Sequence, residues 1–273
     1  MRNFVLISLA AVAILFASAY RSLPEGGFYC PPCGLACDDV VYEEAGHCVH
    51  CGMELVNMAT DEREKQMNND KITVAFYLQD GVEVLDFAGP LEVFSYAGFE
   101  VFIVSKTKDP IISQGVLRVV PDYSLDDAPE ADILAFFGGN SGLPTNDPEV
   151  IDWVKSRAEG ADHLFSVCTG AFILGRAGQL DGLTVTTFHQ SIEGLRELVP
   201  EADVRADVRF VDNGRVITTA GISAGIDGAL HLVAKLRGKE AAVQAAGYME
   251  YDKWVPENGL IIGGADRLKY YNR

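Results

Sequence analysis

The chain is poor in positive charge: 22 Lys and Arg stand against 39 Asp and Glu in 273 residues, for a formal net charge of −17. Nucleic acids and anionic membrane surfaces are bound through clustered Lys and Arg, so no nucleic acid is expected as a partner. Internal repeats and low-complexity tracts are absent. With 48% hydrophobic and 22% charged residues, disordered and collagen-like classes are excluded. Cysteine is scarce and unevenly spread. Five of the six lie between Cys30 and Cys51, and Cys168 stands alone. That division predicts two different chemistries. The length suits one domain of about 200 residues with a small companion, or two modest domains.

One uncharged apolar run is present, Phe4 to Phe16, behind Arg2 and ahead of Ala17-Ser18-Ala19. A basic start, an apolar stretch and a small-x-small end are the parts of a secretory signal peptide, here residues 1–19. An uncleaved anchor is the alternative, because the run is only slightly shorter than the ~20 residues of a span. Residues 4–20 would then tether the chain to a membrane. No Cys follows the small residues, which argues against lipoprotein processing. In both cases the remainder is expected outside the cytoplasm, periplasmic or extracellular.

Residues 28–56 carry two Cys-x2-Cys knuckles, Cys30 with Cys33 and Cys48 with Cys51. Each knuckle can present two thiolates from a tight turn, and two knuckles close a tetrahedral four-sulfur site. So short a segment buries little core, so a metal would be its main source of folding free energy. Disulfide pairing is the alternative that an oxidising compartment allows. Five local cysteines leave one over, which favours metal and leaves Cys37 without an evident partner. Tyr29-x-Pro31 around Cys30 and the close Gly46-x-Cys48-x-x-Cys51-Gly52-Met53-x-Leu55 resemble the small heavy-metal-binding domain found beside efflux proteins. Pro32 departs from that pattern, where Met often follows Cys-Pro, so zinc is the metal expected rather than copper. Residues 57–70 are polar and read as a linker.

From residue 71 apolar strand-length runs alternate with helical segments. Strands are expected at Ile72–Leu78, Val101–Val104, Ile133–Phe137, His163–Val167 and Val216–Thr219. A Gly-Pro turn and a helix near Leu91–Ala97 follow the first of them. Further helices are expected at Pro148–Glu159, from Ala171, and over Gln190–Leu198, Ser223–Leu236 and Glu240–Glu250. The alternation predicts an α/β domain with a mainly parallel sheet over 71–250, followed by a C-terminal extension at 251–273. Sites in such sheets form at the carboxyl ends of strands.

Cys168 falls at such an end, in Ser166-Val167-Cys168-Thr169-Gly170-Ala171. A nucleophile elbow needs small residues two places before and two after, and Ser166 and Gly170 meet that need. The elbow sets the sulfur at a helix N-terminus, where the macrodipole is expected to lower its pKa. The Thr169 N–H would face an oxyanion, with a second donor from Gly139. A small buried core cysteine is the alternative on spacing alone.

Ser166-Val-Cys-Thr-Gly-Ala-Phe-Ile-Leu174, Ala177-Gly-Gln-Leu-Asp-Gly182 and Ile217 to Leu230 resemble the ThiJ/PfpI family. Leu85-Asp86-Phe-Ala-Gly-Pro90 is similar to its isonitrile-hydratase-like branch. The resemblance runs from about 72 to 250 and implies a flavodoxin-like sandwich of the class I glutamine amidotransferase type, as a homodimer, with no cofactor for catalysis. It also implies that Cys168 is the nucleophile and that Asp86 shuttles protons beside it. The family often has Thr-Thr-His. Here Phe188 follows Thr187 and His189 comes next, so His189 is a candidate whose alternative is a surface residue. Ser191 stands where an amidotransferase triad needs a carboxylate, so that triad is absent. About 35 residues follow Gly238 and contain no helix-turn-helix pair, which argues against DNA regulation. The implied function is cysteine-dependent hydration or hydrolysis of a small carbon–nitrogen substrate. The alternative is a non-catalytic protein that responds to metal or to oxidation of Cys168.

Overall fold

The computed structural model describes residues 27–30, 40–58, 71–255 and 258–262. The N-terminal apolar run, Cys33, Cys37 and most of the linker lie outside the described residues. Among the described residues no helix is long and apolar enough to cross a membrane. The chain divides into two compact units, Met1–Asn69 and Asp70–Arg273.

In the first unit β1 (Phe28–Tyr29) pairs antiparallel with both β2 (Val41–Tyr42) and β3 (Val56–Asn57). Its core is small: Cys30, Cys48 and Leu55 are buried, with Phe28, Tyr42, Cys51 and Met53 packed around them. Gly52 adopts φ +77°, a conformation that a glycine after the second knuckle makes easy.

The second unit is an α/β sandwich. Its chain order is β4 (Thr73–Tyr77), α1 (Val84–Tyr96), β5 (Glu100–Ser105), a hairpin of β6 (Ile111–Ser113) and β7 (Leu117–Val119), β8 (Tyr123–Ser124) and β9 (Ile133–Phe136). Then come α2 (Gly142–Thr145), α3 (Pro148–Gly160), β10 (His163–Val167), α4 (Ala171–Arg176), β11 (Thr184–Thr186), α5 (Ile192–Leu198), β12 (Asp203–Arg205) and β13 (Phe210–Asp212). The remainder is β14 (Val216–Thr219), α6 (Ala224–Arg237), α7 (Lys239–Tyr248) and β15 (Gly259–Ile261). The main sheet runs β15-β13-β14-β10-β9-β4-β5-β8. Every pair is parallel except β13 with β14.

Strand side chains alternate between the faces, which is why the central strands are apolar throughout. Val74 and Phe76 of β4 join α1, α6 and α7 in one core, while Ala75 and Tyr77 join α3, α4 and α5 in the other. The Gly89-Pro90 pair is not a turn. It lies inside α1, which begins at Val84 rather than near Leu91. A Cβ on Gly89 would come within 2.6 Å of Ile226 Cγ1, so the missing side chain lets α1 and α6 approach closely. The earlier start places Asp86 in the helix's first turn. Residues 259–261, in the segment expected to be an extension, form an edge strand of the main sheet.

Candidate active site

β10 ends at Val167 and the chain turns through a single 3-10 turn, Cys168–Gly170, into α4. The turn is sharp enough to force Cys168 to φ +58°. For a residue with a side chain that conformation costs on the order of 1–3 kcal/mol, and the surroundings must hold it. They do so from both sides. The Cys168 N–H donates to the Ala220 carbonyl at 3.1 Å, and the Thr187 hydroxyl donates to the Cys168 carbonyl at 2.7 Å. Gly170 is required by crowding, since a Cβ there would lie 2.3 Å from the Phe136 carbonyl oxygen.

Asp86 is fully buried against this turn. Its Oδ2 accepts the Gly138 N–H at 2.9 Å and its Oδ1 accepts the Ile222 N–H at 3.1 Å. Burial pushes the carboxyl up to about 6, against the pull of those N–H groups and of the Cys168 thiol bonded to it. The thiol itself is pushed up to about 12, first by burial and then by the Asp86 charge, although the Thr169 and Ile222 N–H groups also reach the sulfur. The expected lowering by a helix N-terminus is therefore overturned. The helix that follows is short, and burial beside a carboxylate outweighs it. Near neutral pH the pair is a carboxylate hydrogen-bonded to a thiol.

The other candidates separate. Thr169 brings its N–H to the sulfur, and its own Oγ1 is buried with no hydrogen-bond partner among the described residues. Gly139 lies next to the glycine that faces the sulfur. It has φ +86° and bridges to Val82, where a Cβ would meet the Gly81 carbonyl at 2.4 Å. Gly138, one place earlier, is the glycine at the sulfur: a Cβ on it would sit 2.8 Å from Cys168 Sγ and 2.7 Å from Asp86 Oδ2. His189 is exposed and packs edge-on against the Phe188 ring, with no hydrogen bond to Cys168 among the described residues. The shift from Thr-Thr-His has carried the imidazole out to the surface. Two functional groups escaped the sequence, the Gly138 and Ile222 amides. Ile222 lies within the Ile217 to Leu230 motif, but only its φ of +57° turns its N–H onto Asp86.

In the smaller unit the sulfurs of Cys30, Cys48 and Cys51 lie within 4.8 Å of one another. The Cys30 and Cys51 sulfurs approach to 3.2 Å, longer than an S–S bond between them would be. The Tyr42 hydroxyl, 3.2 Å from Cys48 Sγ, is the main influence holding that thiol down at about 6. Three converging sulfurs, one of them readily a thiolate, are a donor set that fits zinc or another thiophilic metal. Cys33, the fourth expected ligand, lies outside the described residues. His47 and His50 are exposed.

Residues 72–235 match the DJ-1/PfpI family. Isonitrile hydratase of Pseudomonas putida is 34% identical over 182 residues, which cover 66% of this chain and 78% of that protein. The HTH-type transcriptional regulator CdhR of Pseudomonas aeruginosa is 27% identical over 63% of this chain, which spans about half of that regulator (52%). Among solved structures, a THiJ/PfpI family protein from Pseudomonas syringae superposes with a TM-score of 0.64 at 31% identity, covering 68% of this chain and 77% of that one. Drosophila melanogaster DJ-1beta shares the fold at TM-score 0.60 and 22% identity, over 66% of this chain and 98% of its own. With its mainly parallel flavodoxin-like sheet and the matched stretch that holds both Asp86 and Cys168, the chain belongs to the DJ-1/PfpI family.

Proposed function

We propose that the larger unit is a cysteine-dependent hydratase acting on a small carbon–nitrogen substrate of the isonitrile type. The observation that carries this is the buried Asp86 carboxylate, fixed by two backbone N–H groups and hydrogen-bonded to the Cys168 thiol. A thiol held near 12 is a poor nucleophile alone and needs a base in contact with it. Asp86 takes the thiol proton as sulfur attacks the terminal carbon of the isonitrile, then returns that proton to the same carbon. The product is a thioimidate on Cys168. Asp86 next deprotonates a water that adds to the thioimidate carbon, and the proton passes to nitrogen. Collapse forms the carbonyl, breaks the carbon–sulfur bond and releases an N-substituted formamide, while sulfur recovers the hydroxyl proton. The Thr169 N–H, already at the sulfur, is placed to stabilise charge that develops there.

The kinship to isonitrile hydratase supports the same reaction class. In the smaller unit, Cys30, Cys48 and Cys51, completed by Cys33, would hold zinc, which would act there as a structural crosslink and take no part in the hydration. Export through residues 1–19, or a membrane tether through residues 4–20, and assembly as a homodimer complete the proposal.

The test is turnover of a simple alkyl isonitrile, followed by proton NMR of the formamide. Wild-type protein is expected to give product, and Cys168→Ser and Asp86→Asn each to lose at least about 1,000-fold. Wild-type protein inactive on isonitriles, with Cys168 forming no adduct, would overturn the hydratase assignment.

A further inference from the structure

The Ile222 N–H reaches Asp86 only because residues 220–223, between β14 and α6, hold a left-handed residue. Such a conformation persists where neighbours over-determine it. Arg209, just before β13, is tied to both ends of this segment. Its carbonyl accepts the Ala220 N–H at 2.8 Å, and the Ala220 carbonyl in turn accepts the Cys168 N–H. Its guanidinium donates to the Ser223 hydroxyl at 3.2 Å and to the Asp227 carboxylate in the first turn of α6. Asp227 is almost fully buried, and its other oxygen accepts the Tyr251 hydroxyl at 3.1 Å. Arg209 thus holds both ends of a four-residue loop that carries one of the two amides on Asp86, the Ala220 end through its carbonyl and the Ser223 end through its guanidinium. It touches neither Asp86 nor Cys168.

We propose that Arg209, seated on Asp227 and Tyr251, is a positioning residue that holds the Ile222 N–H on the catalytic carboxylate. This rests on the assignment of Asp86 and Cys168 as the reacting pair. The chemistry is direct. A carboxylate that loses an N–H donor is a stronger base and binds its proton more tightly. The other groups that act on Asp86 are Cys168, the Gly138 N–H and the Glu83 charge, and none of them bonds to Arg209.

The experiment is the rate of Cys168 alkylation by iodoacetamide against pH, measured on the full chain so that it depends on no substrate. Wild-type protein is expected to show an inflection near 6 from the coupled Asp86. Arg209→Gln is expected to move that inflection upward and to lower isonitrile kcat by at least about 10-fold with KM little changed. Arg209→Lys, which can still reach Asp227, is expected to recover part of both. Arg215→Gln removes an arginine that braces the Ala158 and Ala161 carbonyls elsewhere, and is expected to leave the inflection in place. If Arg209→Gln fails to fold, Tyr251→Phe removes a single hydroxyl from the same brace and is expected to shift the inflection in the same direction. An inflection unmoved in Arg209→Gln, or in Tyr251→Phe where that variant replaces it, overturns the proposal. A shifted inflection without isonitrile turnover in wild-type protein overturns the hydratase assignment and leaves the positioning role standing.

Discussion

At the scale of single residues, the site depends on what is missing as much as on what is present. Gly138→Ala would put a methyl group 2.8 Å from Cys168 Sγ and 2.7 Å from Asp86 Oδ2. It is expected to slow Cys168 alkylation and isonitrile turnover together by about 100-fold or more, read in the same two assays, because a small misplacement of the reacting atoms is costly. The pH dependence follows from Asp86. It must be a carboxylate to accept the thiol proton, and its pKa is raised to about 6, so kcat/KM should climb as pH rises toward 6 and level above it. In Asp86→Asn the residual rate should lack that limb. A limb centred near 4 would mean that the carboxyl is not buried as described. Cys168 and Asp86 were legible because each is a side chain in a motif. The Gly138 and Ile222 amides were not, because a backbone N–H leaves no mark on sequence until the fold aims it. His189 shows the opposite failure: a residue of the right type, one place from the family's position, points to solvent.

At the scale of elements, continuous apolar runs located the central strands to within a residue or two, since a strand buried on both faces has no alternation to obscure it. Polar and short elements were missed. The β6–β7 hairpin, the β11–β12 pair and the antiparallel β13 carry too few apolar positions to stand out. The Gly-Pro pair misled because proline usually ends a helix, yet here it sits within α1 beside the closest approach to α6. Gly89→Ala is expected to destabilise the protein by about 1–3 kcal/mol in chemical denaturation, as overpacking does. Ile226→Ala in the same chain removes the atoms that the new methyl would strike, so the double variant should lose less than the sum of the two single changes.

At the scale of the whole molecule, the uneven cysteines correspond to two units with separate cores. Purified protein is expected to carry about one equivalent of zinc by elemental analysis, retained in Cys168→Ser and lost in Cys48→Ser. Chelation should remove it without changing Cys168 alkylation. Protein without bound metal would count against the three-sulfur site. The acidic composition fits this division, since no function proposed for either unit calls for a basic surface. The bonds that assemble the active site carry a consequence for how the chain folds. Asp86 meets an amide 52 residues away at Gly138 and another 136 residues away at Ile222. Contacts so distant in sequence must wait for large loops to close, so they form late. Refolding should therefore recover helical circular dichroism before it recovers the Asp86-dependent reactivity of Cys168, and that reactivity would serve as a clock for the last step of assembly.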